Sequence, residues 1–342
     1  MTDRDPLRSL PRERLINGPT PIQRLARLEE ILGNRSRGVS IWAKRDDLME
    51  LGGGGNKLRK LEFLIGQAKK EGYDTLVVTG GVQSNFARLA AAACARTGLA
   101  CELVLAQMVP RDTEIYQANG NVLLDRLFGA RVHILNPGDD AGAYATRRVQ
   151  EIDKTGRRAF VAPLGGSTTV GCLGYVDCAF ELARQSAEIG VRFDQIAIPN
   201  GSGGMHAGLA AGLIIAGLHP SLIAAHTVLS PAEKCLSATA EKIDAVLQFL
   251  SVDARVASTD LRVSGAELGD GYGLPTHSMI DAVGLLARSE GLLLDPVYGG
   301  KAFAGLLSDI ESGAVAPQSS VLFIMTGGSP GLYAYADAFT TP

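Results

Sequence analysis

The sequence lacks the features of membrane, secreted and disulfide-bonded proteins. No run of about 18 apolar residues occurs in the 342-residue chain, so no transmembrane helix is predicted. The first residues, Met1–Asp5, are charged and have no apolar core, which is not typical of a signal peptide. The cysteines number five, and no CxxC pair occurs. We therefore expect buried free thiols and a soluble protein in a reducing, cytoplasmic location.

Other absences exclude several classes of binding protein. The formal net charge is only -3, which makes nucleic acid an unexpected partner. His206 has no second histidine at metal-ligand spacing, so no metal site is predicted. Neither GxGxxG nor a Walker motif occurs, which argues against a Rossmann dehydrogenase and a P-loop enzyme. Ser84 has no histidine beside it in sequence, so a hydrolase triad is not indicated.

The composition and the order of apolar segments predict a large α/β protein. Hydrophobic residues make up 46% of the chain and charged residues 20%, enough for a sizeable core. Short apolar runs alternate with helical patterns, which predicts parallel strands covered on both faces, with ligands beyond their carboxyl ends. The predicted strands are 75–78, 101–105, 130–135, 159–162, 195–198, 222–225 and 321–325, and the clearest helices are 86–97, 121–128 and 205–215.

Lys57 follows four glycines and an asparagine and begins an amphipathic helix. The positive end of a helix is an unfavourable place for a lysine, but it lowers the pKa of the amine and makes it a better nucleophile. The preceding glycines let a flat ligand approach the backbone closely. Lys57 is therefore a candidate for imine chemistry on a carbonyl cofactor, and the alternative is a solvated lysine after a flexible loop.

Other strand-to-helix turns carry groups that could bind a ligand. The turn Gly201–Gly204 presents successive N–H groups at a helix start, which suits phosphate, although Ser202 could simply cap the helix. Ser84 and Asn85 could likewise be capping residues, or could meet a carboxylate or a flat ring. Tyr272 and Tyr298 lie in Gly/Pro-rich turns, where a hydroxyl can act as acid, base or donor but often only packs. Thr326 ends the last predicted strand and could place its hydroxyl against a ligand.

Taken together and in order, these motifs resemble one family. The chain is similar to the pyridoxal-phosphate (PLP) enzymes of the tryptophan-synthase β-like fold, in the branch of D-cysteine desulfhydrase, L-cysteate sulfo-lyase and 1-aminocyclopropane-1-carboxylate (ACC) deaminase. The segments that carry the resemblance are 19–21, 44–47, 54–57, 83–85, 174–176, 271–273, 295–298 and 326–328.

The resemblance implies a fold and a domain division. The fold is α/β, of the tryptophan synthase β-like type called PLP fold type II, with two open, twisted, mostly parallel sheets covered by helices. A larger cofactor-binding domain comprises residues 1–59 and 166–342, and a smaller α/β domain, 60–165, is inserted in it. The resemblance also implies a homodimer that acts on a small amino acid.

The resemblance further implies a role for each motif residue. Lys57 holds PLP as a Schiff base and carries the α-proton, and Asn85 flanks the cofactor ring. Ser84 contacts the substrate carboxylate or assists proton transfer. Tyr272 and Tyr298 face the substrate, and Thr326 lies near the pyridine nitrogen. The backbone N–H groups of the glycine turn bind the phosphate, and the residues of that turn are Gly201, Ser202, Gly203 and Gly204.

At four positions the chain departs from the family pattern. Phe86 stands where relatives carry His or Gln, and Thr168 where Asn or Asp is common; both are expected to touch the substrate. Met205 replaces a usual Thr at the end of the phosphate turn and removes a hydroxyl. Gly299 stands where the deaminase has Glu, which weakens a deaminase interpretation.

The function expected from the resemblance is a PLP-dependent carbon–sulfur lyase. It would catalyse α,β-elimination with deamination of a small sulfur-bearing amino acid such as D-cysteine or L-cysteate, giving pyruvate, ammonia and sulfide or sulfite. The alternatives are an ACC deaminase-like ring-opening enzyme, a β-replacement synthase, and a PLP-binding carrier without turnover.

Overall fold

The computed structural model describes residues 6–339, so the charged segment Met1–Asp5 lies outside the described residues. Ten strands form two sheets in this part of the chain. The strands are β1 (Ile22–Arg24), β2 (Ser40–Arg45), β3 (Thr75–Gly81), β4 (Ala100–Ala106), β5 (Arg131–Ile134), β6 (Ala159–Ala162), β7 (Gln195–Asn200), β8 (Ile223–Thr227), β9 (Arg262–Ser264) and β10 (Ser320–Met325).

The helices cover both sheets, as the alternation of segments predicts. They are α1 (Ala26–Leu32), α2 (Lys57–Lys70), α3 (Asn85–Thr97), α4 (Glu114–Ala118), α5 (Asn121–Leu127), α6 (Ala141–Asp153), α7 (Thr169–Ile189), α8 (Gly204–Ile215), α9 (Ala232–Phe249), α10 (His277–Glu290), α11 (Gly299–Ser312), α12 (Pro330–Ala334) and α13 (Ala336–Phe339). Within the described range, none of them is long and apolar enough to cross a membrane.

The two sheets confirm the predicted mostly parallel architecture. The smaller sheet has the order β5-β4-β3-β6 and is parallel throughout. The larger sheet has the order β1-β2-β10-β7-β8-β9, and only the β1–β2 pairing is antiparallel. All strands of the smaller sheet lie between residues 75 and 162, whereas the larger sheet takes strands from both sides of that range. The domain boundaries at residues 60 and 165 stay a proposal.

Alternating side chains of the strands build separate cores on opposite faces of each sheet. In β10, Val321 and Phe323 enter one apolar cluster and Leu322 and Ile324 another, as the two-residue period of a strand requires. All five cysteines are buried free thiols, as expected from their number and spacing.

Three strands of the structure were not predicted from the sequence. Strands β1 and β9 have only three residues each. Strand β2 was not predicted because it ends in two charged residues, Lys44 and Arg45, which are typical of exposed segments. Lys44 is nevertheless completely buried against Glu181.

Candidate active site

One cavity, partly open to solvent, lies between the two sheets where strands end and helices begin. A cavity at the carboxyl ends of parallel strands is the usual place for a cofactor or a small ligand in such sheets. It brings together nearly all the residues selected from the sequence: Lys57, Ser84, Asn85, Phe86, Gly201, Ser202, Gly203, Gly204, Met205, Tyr272, Tyr298 and Thr326. Sequence reasoning missed other residues of the lining, namely Asn56, Lys60, Met108, Leu164, Gly165, Pro199, Asn200 and Leu229.

Lys57 is the first residue of α2 and lines this cavity. Burial lowers the pKa of its amine to about 8, while the negative charge of Asp295 opposes the shift. The pKa therefore falls, as expected, but the main cause is burial, which depends on the tertiary structure. The ammonium lies 5.8 Å from the ring centroid of Tyr298, and the N–H of Asn56 donates to Thr326 O at 2.9 Å, which holds the segment before Lys57.

The turn Gly201–Gly204 presents backbone to the cavity at the start of α8, whose first N–H groups have no partner within the helix. A Cβ at Gly204 would lie 2.4 Å from Ser167 Oγ and 2.7 Å from Lys60 Nζ, so the space beside this turn is already lined with donors. A Cβ at Gly201 would lie 3.0 Å from the Tyr298 ring. The glycines therefore let a hydroxyl, an amine and an aromatic ring approach the turn closely.

Lys60 is the most informative residue that sequence reasoning missed. Its side chain is fully buried and donates to Gly165 O at 3.0 Å and to Ser167 Oγ at 2.8 Å. Ser167 Oγ in turn lies 2.7 Å from Ser202 Oγ. Burial, and next the charge of Lys57, lower the pKa of Lys60 to about 7. A signal was present in the sequence, because residues i and i+3 of a helix share a face and Lys57 begins this one.

The donor set fits pyridoxal phosphate. A phosphate dianion suits the free N–H groups of the glycine turn, the Ser202 hydroxyl and the Lys60 amine, which gains a charge partner when an anion is present. Lys57 supplies an amine of lowered pKa in the same cavity for an aldehyde. The residues present therefore match both ends of this cofactor.

Ser84 and Asn85 combine a structural contact with a place in the cavity wall. Ser84 Oγ accepts the N–H of Ala87 at 3.1 Å, so it caps α3 and also faces the cavity. Asn85 Oδ1 accepts from Asn121 Nδ2 at 3.0 Å, which fixes its orientation. A Cβ at Gly328 would lie only 2.4 Å from Asn85 Nδ2, so this position must be glycine for Asn85 to fit.

Tyr272 and Tyr298 meet directly. Their hydroxyl oxygens lie 2.7 Å apart and their rings are edge-on, with centroids 6.0 Å apart. Burial raises the pKa of both phenols, so both stay protonated near neutral pH. The ammonium of Lys301 donates to Leu268 O at 2.7 Å and to Gly271 O at 3.0 Å, and so holds the loop that carries Tyr272.

Three departures from the family pattern have defined surroundings. The ring of Phe86 packs so close to Gly166 that a Cβ there would lie 2.6 Å from it. Met205 Sδ lies 3.7 Å from Asn56 Nδ2, a weak contact next to Lys57. Gly299 is not part of the cavity wall, and its N–H donates to Asp295 Oδ2 at 2.8 Å.

Thr168 has a structural role at the start of α7. Its hydroxyl accepts the N–H of Gly171 at 3.1 Å and caps α7, and Thr168 is not among the residues that line the cavity. The contact between Thr168 and the substrate that the resemblance implies stays a prediction, and the helix cap is the alternative role. Threonine is common at the N-cap of a helix, which favours a capping role for Thr168 over a contact with the substrate.

No cluster of metal-binding side chains occurs in residues 6–339. The model of the pyridoxal-phosphate dependent enzyme family matches residues 14–327, most of the chain, and the chain belongs to that family. Its enzymes depend on pyridoxal phosphate, in agreement with the donor set of the cavity.

The more specific comparisons point to one branch. The chain is 41% identical over 337 residues to a D-cysteine desulfhydrase of Yersinia enterocolitica, covering 98% of this chain and 99% of the relative. It is 40% identical to a D-cysteine desulfhydrase of Salmonella newport, covering 96% and 97%. A crystal structure described as an ACC deaminase homologue superimposes with a TM-score of 0.86 at 35% identity, covering 98% and 97%.

Proposed function

We propose that the chain is a carbon–sulfur lyase that converts D-cysteine to pyruvate, ammonia and sulfide. The observation that carries the proposal is the full-length similarity to D-cysteine desulfhydrases, together with a cavity that holds Lys57, a phosphate turn and two tyrosines. When bound, pyridoxal phosphate supplies an electron sink for negative charge at the substrate Cα.

The proposed work of the chain's own residues follows from their surroundings. Lys57 Nζ, with a pKa of about 8, is uncharged in a minor fraction of molecules near neutral pH, but in a far larger fraction than an ordinary lysine with a pKa of 10.5. It can therefore bind the cofactor covalently and take the α-proton of the substrate. The Ser84 hydroxyl accepts from Ala87 and keeps its own hydrogen for a substrate carboxylate.

The remaining polar groups would orient the cofactor and the leaving group. The turn Gly201–Gly204, Ser202 and Lys60 would hold the phosphate, and Asn85 would flank the ring. The phenols of Tyr272 and Tyr298 remain protonated, and because their hydroxyls bond each other, one hydrogen is left to donate to a departing sulfur atom. Thr326 would offer a neutral hydroxyl near the pyridine nitrogen, which favours elimination over chemistry that needs a strongly activated ring.

Ring opening of ACC is the second candidate, because the solved neighbour is described as an ACC deaminase homologue. Gly299 disfavours it, since no carboxylate stands at that position. The nearby carboxylate, Asp295, is occupied by the N–H groups of Val297, Tyr298 and Gly299.

A substrate panel tests the proposal. D-cysteine, L-cysteine, L-cysteate, β-chloroalanine and ACC are supplied to the purified protein, and 2-oxo acid and sulfide are measured. We expect the highest kcat/KM for D-cysteine and no turnover of ACC. Lys57→Ala should abolish turnover and the visible absorbance of lysine-bound cofactor. If no β-substituted substrate yields a 2-oxo acid, the elimination proposal fails.

We also propose a homodimer and a cytoplasmic location. The resemblance to the desulfhydrase branch supports the dimer, and five free thiols support a reducing compartment. Light scattering on the purified protein checks the first point, and a mass equal to one chain would contradict it.

A further inference from the structure

Three polar side chains are completely buried between α3 and α5. They are Arg88 on α3 and Asn121 and Asp125 on α5, all with 0% exposure. Within the part of the chain that the structure describes, Arg88 Nε and Nη1, both carboxylate oxygens of Asp125 and Asn121 Oδ1 lack a hydrogen-bond partner. Buried polar groups nearly always bond to protein or to ordered water, so this concentration of donors and acceptors requires an explanation.

The remaining donor of Arg88 reaches the segment that carries Lys57. Arg88 Nη2 donates to Gly54 O at 2.6 Å. Gly54 has φ of +78°, and a Cβ there would lie 2.2 Å from Asp47 O, so this backbone is confined to one path. Gly55 also bridges to Gly327. Arg88 therefore contacts the backbone three residues before Lys57, at the point where the chain turns into α2.

The opposite end of the same buried region reaches Asn85. Asn121 donates to Asn85 Oδ1 at 3.0 Å and to Gln83 O at 3.1 Å. Asn121 and Asp125 are one helical turn apart and so lie on one face of α5, as Asn85 and Arg88 do on α3. The region thus touches both the segment before Lys57 and the residue expected to flank the cofactor ring.

We propose that Arg88 is a positioning residue for Lys57, and that ordered water bridges Arg88, Asn121 and Asp125 and supplies the hydrogen-bond partners that these groups lack. The inference rests on the proposed role of Lys57 as the cofactor lysine. A buried water typically makes about three hydrogen bonds to such groups. Burial of Arg88 and Asp125 away from solvent lowers the pKa of the Arg88 guanidinium to about 10 and raises the pKa of the Asp125 carboxyl group to about 8. A bridging water would hydrogen-bond both groups and lower the cost of burying their charged forms.

Four variants of the full-length holoenzyme separate positioning from stability: R88M, R88K, D125N and R88M/D125N. Arg96→Met is the matched control, because Arg96 is exposed on the same helix. The measurements are thermal unfolding, the visible absorbance of lysine-bound cofactor, and kcat and KM for D-cysteine. A high-resolution crystal structure shows whether ordered water joins Arg88 to Asp125.

We expect R88M to lower kcat on the order of 100-fold, the cost of displacing a reacting group by about 1 Å, with a smaller change in KM. R88K should recover part of kcat, because an amine can still donate to Gly54 O. Above the raised pKa of Asp125, R88M/D125N should regain thermal stability relative to R88M, since no uncompensated carboxylate remains, without regaining kcat. D125N should lower stability more than kcat, and R96M should change neither.

Recovery of kcat together with stability in the double variant would overturn the positioning role. A crystal structure without ordered water between Arg88 and Asp125 would overturn the bridge. If the wild-type protein binds the cofactor and turns over D-cysteine but R88M keeps its kcat, the inference alone fails. If the wild-type protein shows no lysine-bound cofactor, the assignment of Lys57 fails, and the inference with it.

Discussion

Lys57 and Lys60 lie on one face of α2, yet their surroundings give them different chemistry. Lys57 lines the cavity, and its ammonium lies 5.8 Å from the centroid of the Tyr298 ring. Lys60 is enclosed by Gly165 and Ser167 beside the glycine turn. One amine is thus available for covalent chemistry, whereas the other is placed to meet an anion.

At this scale we predict that Lys60→Met weakens binding of pyridoxal phosphate and of inorganic phosphate. The pKa of Lys60 is about 7 in the folded protein and 10.5 ordinarily, so the unfolded chain binds this proton more tightly. The free energy of unfolding of the cofactor-free protein should therefore rise as the pH increases from about 7 to about 10.5. Lys60→Met should reduce this rise.

Thermal unfolding across that pH range, with and without phosphate, measures both effects. Lys70→Met is the control, because Lys70 lies exposed on the same helix. An unchanged phosphate-induced stabilisation in Lys60→Met would contradict the assigned role.

At the scale of the helices, α7 organises the surroundings of the site through close crossings. A Cβ at Gly174 would lie 2.1 Å from Arg59 O of α2, and a Cβ at Gly208 of α8 would lie 2.1 Å from Cys172 O. Glycines at these crossings let α7 contact both the helix that begins with Lys57 and the helix that follows the phosphate turn. The position of α7 therefore fixes the distance between the two ends of the cofactor site.

We predict that Thr168→Val destabilises the protein without changing its chemistry. Loss of the N-cap of α7 should cost about 1 kcal/mol of unfolding free energy. The value of KM for the substrate should stay unchanged, because Thr168 does not line the cavity. Denaturant unfolding and steady-state kinetics measure the two quantities. Thr168→Ser keeps the cap and serves as the control, whereas a raised KM in Thr168→Val would support the contact between Thr168 and the substrate.

At the scale of the molecule, a buried charge cluster joins distant parts of the chain. Arg59 of α2 contacts Asp46 at 2.8 Å and Glu181 of α7 at 2.9 Å, and Glu181 also pairs with Lys44 of β2. Tyr175 OH donates to Asp46 Oδ2 at 2.9 Å. Burial alone would raise the pKa of Asp46 and Glu181, but the charge of Arg59 holds both below their ordinary values.

We predict that Glu181→Gln lowers the free energy of unfolding by about 3–5 kcal/mol, because Arg59 and Lys44 lose a buried partner. The stabilisation from Asp46 and Glu181 is present above their ordinary pKa values of 3.8 and 4.5 and is lost as the pH falls below them. The acid-induced loss of stability should therefore be shallower in the variant. Urea unfolding at several pH values measures this, with Glu188→Gln, exposed on the same helix, as the control. Equal stability of Glu181→Gln and the wild type would show that the cluster is not stabilising.

Much of the fold and the cavity could be predicted because the signals are local. Apolar runs placed seven of the ten strands, and glycines at strand ends marked the turns that meet at the cavity. Strand β2 was missed because Lys44 and Arg45 look exposed in sequence. Lys44 is buried because it pairs with Glu181, which lies more than a hundred residues away in the sequence. No local sequence pattern indicates such a partner.

The α/β architecture, the family and the order of the site motifs can be read from the linear sequence, because periodicity and glycine placement act over a few residues. The fold sets which amines become weak bases, places Lys60 beside the turn Gly201–Gly204, and makes Thr168 a helix cap. It also places Arg88 behind the backbone that leads to Lys57. These properties depend on burial and on charges brought together from separate segments, and desolvation has no counterpart in the linear sequence.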